Sequence, residues 1–304
     1  MNAQGEAVAY GAVTIVNALA SGRGAAFGID LWTEARVKLT DDGKIETTIL
    51  KDDDENTLLV EKCVQAVLGA SGNRSLGARV ETESNIPIAR GLKSSSVAAN
   101  AVVLATLAAL RKEMDLNEIL NIVIDASLES KVSVTGALDD VYASLYGNVV
   151  VTDNNARSVL RTFPVGEFSV LLLVPPEKRY TINSDIPRIR TVAKQVDTAH
   201  REALEGNYWN AMTLNGLIYS HVLGLETDII IESLEAGAKA AGISGKGPTY
   251  AFVVEEDSKD PVISVLREHE GQILLSKTRR HPSNPIPTRN HGGILVVGDD
   301  STSQ

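Results

Sequence analysis

The strongest constraint on the fold lies between residues 77 and 114. An alternating stretch, GARVETESNIP, is stopped by Pro87. The loop ARGLKSSS follows, and residues 97–110 are then almost wholly Ala, Val and Leu. This run contains Asn100 and falls short of the ~20 residues that cross a bilayer, so it belongs in a protein core. A helix is expected over 97–114, with Arg111 and Lys112 in its last turns, where cations suit the helix dipole. Serines 94–96 fall at its start. A helix start presents unpaired N–H groups and a partial positive charge, and Gly91 lets the backbone approach a bound anion closely. Lys93 adds a local cation. Serine hydroxyls add donors to phosphate oxygens, or an oxygen ligand for Mg²⁺. The plainer alternative is a single serine cap with inert neighbours. The loop matches neither the G-x-x-x-x-G-K-[ST] pattern nor the G-x-G-x-x-G turn.

The 304 residues, at about 150 per domain, suggest two domains. The polar break around 153–157 is expected to divide them into 1–155 and 156–304. Within the first, AVAYGAVTIVNAL and IDLWTEARVKLT read as strands on either side of a Gly-rich turn. Asp41-Asp42-Gly43-Lys44 reads as a hairpin turn with KIETTIL returning. Helical spacing covers 57–68 and 116–129, and NVVVT reads as a strand. In the second half, FSVLLLVPP, TYAFVVEE, QILLSK and GILVVG read as strands. Helices are expected at 186–204, 208–222, 227–241 and 261–269. The mixture is α+β, with few regular βαβ units, and no internal repeat is present.

Twenty-nine Lys and Arg against 39 Asp and Glu leave a net charge of −10, which argues against nucleic acid or an anionic membrane as partner. Aromatics at 4% are too sparse for base-stacking platforms. The one cysteine, Cys63, allows no internal disulfide and fits a reducing compartment. Glu6 stands where a secretory leader carries Lys or Arg, so a cytoplasmic location is expected.

Three further features carry candidate chemistry. Glu129 precedes Asp140 by 11 residues; one could hold a nucleotide-bound Mg²⁺ and the other face an acceptor hydroxyl. As alternatives, Asp139 or Asp140 caps the helix after it, and Glu129 is a solvated helix end. The run Gly242 to Thr249 has closely spaced glycines whose N–H groups can converge on an anion, or else form a helix C-cap and turn. The five histidines lack metal or triad spacing. Arg279, Arg280 and His281 form a basic cluster read as solvated, and the turn Ser21-Gly22-Arg23-Gly24 is a candidate acceptor site.

PIARGLKSSSVAANAV resembles the second motif of the GHMP kinases, P-x-x-x-G-L-G-S-S-A. Pro87, Gly91, Leu92, Ser94 and Ser95 match, while Lys93 replaces the middle glycine and Ser96 the alanine. The resemblance implies that the loop, including Ala89 and Arg90, wraps the phosphates of ATP. SVTGALDDVYASLYGNVVV is similar to the stretch that holds the family's catalytic aspartate. Spacing to Ser144 and Gly147 favours Asp140, whereas the distance from Gly136 favours Asp139. Asp140 is taken as catalytic with Asp139 beside it toward the acceptor, and Ser95 with Glu129 as the Mg²⁺ ligands. Gly245 and Gly247 lie in a likeness to the third motif, in its S-G-x-G-P form, and Asn56 matches a position near the adenine. The implied fold is a ribosomal-protein-S5-like N-terminal domain and a ferredoxin-like C-terminal domain, with ATP between them. Across most of the chain the likeness is to the archaeal shikimate kinase branch. That implies shikimate as acceptor, with ATP and Mg²⁺, in a monomer or homodimer. Homoserine kinase or an inactive nucleotide-binding relative are the alternatives.

Overall fold

The computed structural model describes residues 3–50, 55–177 and 185–283. The expected strand GILVVG lies outside them. Two sheets organise the molecule. The first is built on two long antiparallel strands, β1 (Gln4–Val16) and β2 (Arg23–Thr40). β1 alternates exposed and buried residues over its first half and is buried on both faces over its second. β3 (Ile45–Ile49), helix α1 (Leu58–Ala70) and β4 (Gly77–Ser84) follow. β4 pairs antiparallel with β2, but β3 pairs parallel with β4. The turn at 41–44 therefore joins strands that are not neighbours. Local turn chemistry suggested a hairpin, but the hydrogen-bond partner comes from beyond α1.

Helix α2 (Ser94–Leu110) is the central element, with twelve of its residues buried, as an all-round apolar helix must be. Its alanines let β1 lie very close: a Cβ on Gly5 would overlap the backbone at Ala105 and Ala109. The helix ends at Arg111, in the left-handed region, rather than at residue 114. α3 (Leu116–Glu129) is capped by Asp115, whose carboxylate accepts from the Asn117 N–H. α4 (Leu138–Tyr146) follows, then β5 (Val149–Asp153) and β6 (Ser158–Phe163). β5 pairs with β2, and β6 pairs antiparallel with β5. The polar break at 154–157 is thus a hairpin turn inside the first sheet.

The second sheet has the order β10-β7-β9-β8, all antiparallel. Between β7 (Ser169–Val174) and β8 (Ala240–Ile243) run α5 (Ile186–Arg190), α6 (Ala193–Leu204), α7 (Tyr208–Leu223) and α8 (Asp228–Glu235). β9 (Tyr250–Val254), α9 (Lys259–Leu266) and β10 (Gln272–Lys277) complete it. Counted within this sheet the order is 4-1-3-2, the ferredoxin-like arrangement. The helix expected over 227–241 stops at Glu235. Gly237, at φ 100°, closes it as a Schellman motif, with Gly237 N–H on the Leu234 carbonyl and Ala238 N–H on that of Ser233. Ala240–Ile243 is then free to become a buried strand.

α6 packs against the first sheet and against α7, and α7 packs against both sheets, so one apolar core runs from the first sheet through these helices into the second. After β10 the chain returns to the first sheet. Arg279 donates its N–H to the Gly28 carbonyl and accepts from the Asn148 N–H. Its guanidinium lies 3.6 Å over the Tyr10 ring and is buried. Burial pushes it down to about 10. Arg279 is therefore not part of a solvated cluster: the Tyr10 face and a backbone bridge take it inside, while Arg280 stays exposed and pairs with Glu167. Among the described residues no helix is long and apolar enough to cross a membrane.

Candidate active site

The start of α2 is shaped by its own loop. Gly91 has φ +85°, and a Cβ there would overlap the carbonyl oxygens of Ser244 and Gly247. The glycine is needed because the loop 244–247 docks against it. The Ser244 hydroxyl donates to the Gly91 carbonyl at 2.8 Å, and the Thr249 N–H reaches the Arg90 carbonyl. Lys93 then takes the left-handed conformation, φ 64° and ψ 22°, before α2 begins. The first turn of the helix closes with Val97 N–H on the Lys93 carbonyl, so the N–H groups of residues 94–96 have no partner within it.

These groups open into a cleft of about 640 Å³. Asn56, Ala89, Gly91, Lys93, residues 94–96, Glu129, Asp139, Asp140 and Gly245 all line it. Pro87, Arg90, Leu92 and Gly247 do not. Leu92 is in the core, Arg90 donates to the Pro175 carbonyl, and Gly247 lies against Gly91. Part of the wall is apolar and open, with Leu58 39% and Val134 43% exposed. Asn56 lies one residue before the α1 N-cap, Thr57, and its side-chain oxygen accepts from the Leu58 N–H at 2.8 Å.

Asp139 and Asp140 lie within the first turn of α4, not at its cap, which is Ala137 in the left-handed region. Both are buried. Asp139 accepts from the Asn154 amide at 2.9 Å, and Gly24 backs it so closely that a Cβ there would sit 2.6 Å from its Cγ. The turn 21–24 thus makes room for Asp139, while Asn17, Ala18 and Leu19 reach the cleft itself. Asp140 is ion-paired through Oδ2 to the Lys93 ammonium at 2.8 Å, and its Oδ1 is buried with no hydrogen-bond partner. Burial, then the Asp139 charge, push its carboxyl up to about 7 against the pull of Lys93.

Two cleft residues carried no role in the sequence reading. Lys246 lines the cleft, and burial followed by the Lys93 charge push its ammonium down to about 7. It stood in plain view inside the glycine run. Asn17 donates its amide to the Gly245 carbonyl at 2.5 Å; nothing near it in sequence marks it. Glu129, at the end of α3, is more than half exposed and pairs with Lys62 at 2.9 Å.

Hydroxyl and carboxylate oxygens from Ser95 and Glu129 suit a hard cation that keeps most of its ligands as phosphate and water. Among the described residues no group of three or more His, Cys, Asp or Glu is arranged to hold a metal ion. A helix start for phosphates beside a buried carboxylate for an acceptor proton is an arrangement suited to phosphoryl transfer.

Residues 58–148 match the GHMP kinases N terminal domain, and residues 198–271 match the GHMP kinases C terminal domain. The chain belongs to the GHMP kinases, and as such is an ATP-dependent kinase of a small molecule. It is 42% identical over 88% of its length, and 92% of the relative, to the shikimate kinase of Methanothermobacter thermautotrophicus. To that of Methanosarcina mazei it is 43% identical over 84% of this chain and 87% of the relative. In fold it resembles the homoserine kinase of Cytophaga hutchinsonii, with a TM-score of 0.74 at 18% identity over 93% and 97% of the two chains. The mevalonate kinase of Methanococcus jannaschii gives 0.72 at 16%, over 92% and 99%. The mixed α+β GHMP kinase fold expected from the sequence is the fold observed.

Proposed function

We propose that the chain is a shikimate kinase, moving the γ-phosphoryl of ATP to the 3-hydroxyl of shikimate and releasing ADP. The observation that carries this reading is the meeting, in one cleft, of the α2 start with the free oxygen of Asp140, in a chain about 40% identical to shikimate kinases over most of its length. The N–H groups and hydroxyls of residues 94–96 hold the phosphates, and Gly245 closes over them from the second loop. Asn56 and the exposed Leu58 and Val134 receive the base. The acceptor oxygen attacks the γ-phosphorus, the bond to the β–γ bridging oxygen breaks, and the acceptor proton passes to Asp140 Oδ1. Ser95 and Glu129 would hold Mg²⁺, which when bound neutralises phosphate charge. Asp139, fixed by Asn154, faces the acceptor's other hydroxyls. Positioning and charge neutralisation supply most of the rate, as this reaction class requires. A cytoplasmic location and action as a monomer or homodimer go with this reading.

The test is ADP release measured with shikimate and with homoserine side by side. Shikimate-dependent turnover is expected, falling by about 10²–10⁴-fold in Asp140→Asn with ATP affinity kept. Turnover with homoserine alone, or an Asp140→Asn enzyme as fast as its parent, overturns the assignment.

A further inference from the structure

We propose that Lys93 is a positioning residue for Asp140: its ammonium takes one carboxylate oxygen so that the other is held, ionised, toward the acceptor hydroxyl. This rests on the kinase reading above and extends it to a residue at which the chain departs from its family's motif. Three separate observations support it.

The ion pair leaves the carboxylate asymmetric. Oδ2 is bound at 2.8 Å by an ammonium that is itself mostly buried, and Oδ1 is buried without a partner. A buried acceptor left unsatisfied costs stability, so it marks the oxygen that a substrate hydroxyl would complete. The backbone gives the second argument. Lys93 stands at φ 64°, in the left-handed region where glycine is at ease and a lysine is strained. The family motif has glycine at this place. The Lys93 side chain makes no cap to α2 and pairs instead with Asp140. Third, the second loop lies over it: a Cβ on Gly245 would be 3.6 Å from Lys93 Nζ. That loop thus confines the ammonium beside the carboxylate.

The charged groups acting on Asp140 are Asp139 on α4 and Lys93 at the start of α2; Lys93 also acts on Lys246, on the second loop. Burial and Asp139 favour the protonated carboxyl, and Lys93 alone opposes them. A base must be ionised to accept a proton, so turnover falls as pH drops through the Asp140 pKa. Without Lys93 that acid limb moves to higher pH. The only proton moved is that of the acceptor hydroxyl, which ends on Oδ1 as the oxygen–phosphorus bond forms and ADP leaves.

Lys93→Gly is the decisive variant, because glycine relieves the backbone at this position. In the full-length enzyme we expect kcat to fall by about a hundredfold or more, KM for ATP to stay within about threefold, and the acid limb to shift upward. Lys93→Arg should regain part of the rate. In an Asp140→Asn background Lys93→Gly should cost little more, since a residue that acts through another adds nothing once that one is gone. Should Lys93→Gly fail to fold, Lys93→Met enters the same cycle. Unchanged kcat and acid limb overturn the proposal. So does a raised KM for ATP with an unmoved limb, which would make Lys93 a phosphate contact. A wild-type enzyme inactive on shikimate removes the underlying reading instead.

Discussion

Asp139 and Asp140 are neighbours in one helical turn, yet the structure holds them by opposite means. Asp139 is bound by a neutral amide, from Asn154, and walled by Gly24. Asp140 is bound by a cation and keeps one oxygen free. A spacing argument in sequence could not separate them, because it counts positions and does not report partners at residues 93 and 154. Glu129 shows the reverse. Its place eleven residues before Asp140 was legible, but not its exposed pairing with Lys62. Exposed pairs of this kind contribute at most about 1 kcal/mol, so Mg²⁺ can displace Lys62 at little cost. Glu129→Gln should therefore raise the Mg²⁺ concentration needed for half-maximal turnover several-fold while leaving the melting temperature unchanged. A metal titration identical to that of the parent would remove Glu129 from the site.

At the scale of elements, the cleft depends on two loops meeting. The loop before α2 and the loop after β8 touch through Gly91, the Ser244 hydroxyl and the Arg90 carbonyl. Gly91→Ala puts a methyl into the Ser244 carbonyl and into a left-handed backbone at once. A loss of about 1–3 kcal/mol is expected, seen as a lower urea midpoint, together with a raised KM for ATP as the helix start is displaced. An unaltered midpoint would mean that the loops do not depend on this contact. Both loops were legible because glycine, serine and proline mark turns locally. β8 was not: Ala240–Ile243 has a composition a helix could also use, and only the Gly237 cap and burial under α7 make it a strand. Likewise β3 could not be assigned its partner, because pairing across α1 leaves no trace in the turn at 41–44.

Across the whole molecule, buried hydrogen bonds tie the two halves at the cleft. The Tyr219 hydroxyl on α7 donates to the Asn17 carbonyl at 3.0 Å and accepts from the Ala20 N–H at 3.1 Å. The Asn17 N–H in turn donates to the side-chain oxygen of Asn215 on α7 at 3.0 Å, and its side-chain amide donates to the Gly245 carbonyl. Tyr219→Phe leaves two backbone groups unsatisfied in the core, a loss of about 1–3 kcal/mol. Thermal unfolding should show it, along with a higher KM for shikimate, because residues 17–19 wall the cleft; parental values of both would deny the tie a role. By itself the sequence determined what is encoded over a few neighbouring residues: the buried apolar helix, the glycine–serine start before it, the carboxylates and the second glycine loop. Only the tertiary structure decided which groups share a charge, which strands pair, and that Arg279 goes inside over Tyr10. Helical periodicity and turn chemistry act within one or two turns of chain. Ion pairing, desolvation and strand partnership act between segments that come together only on folding.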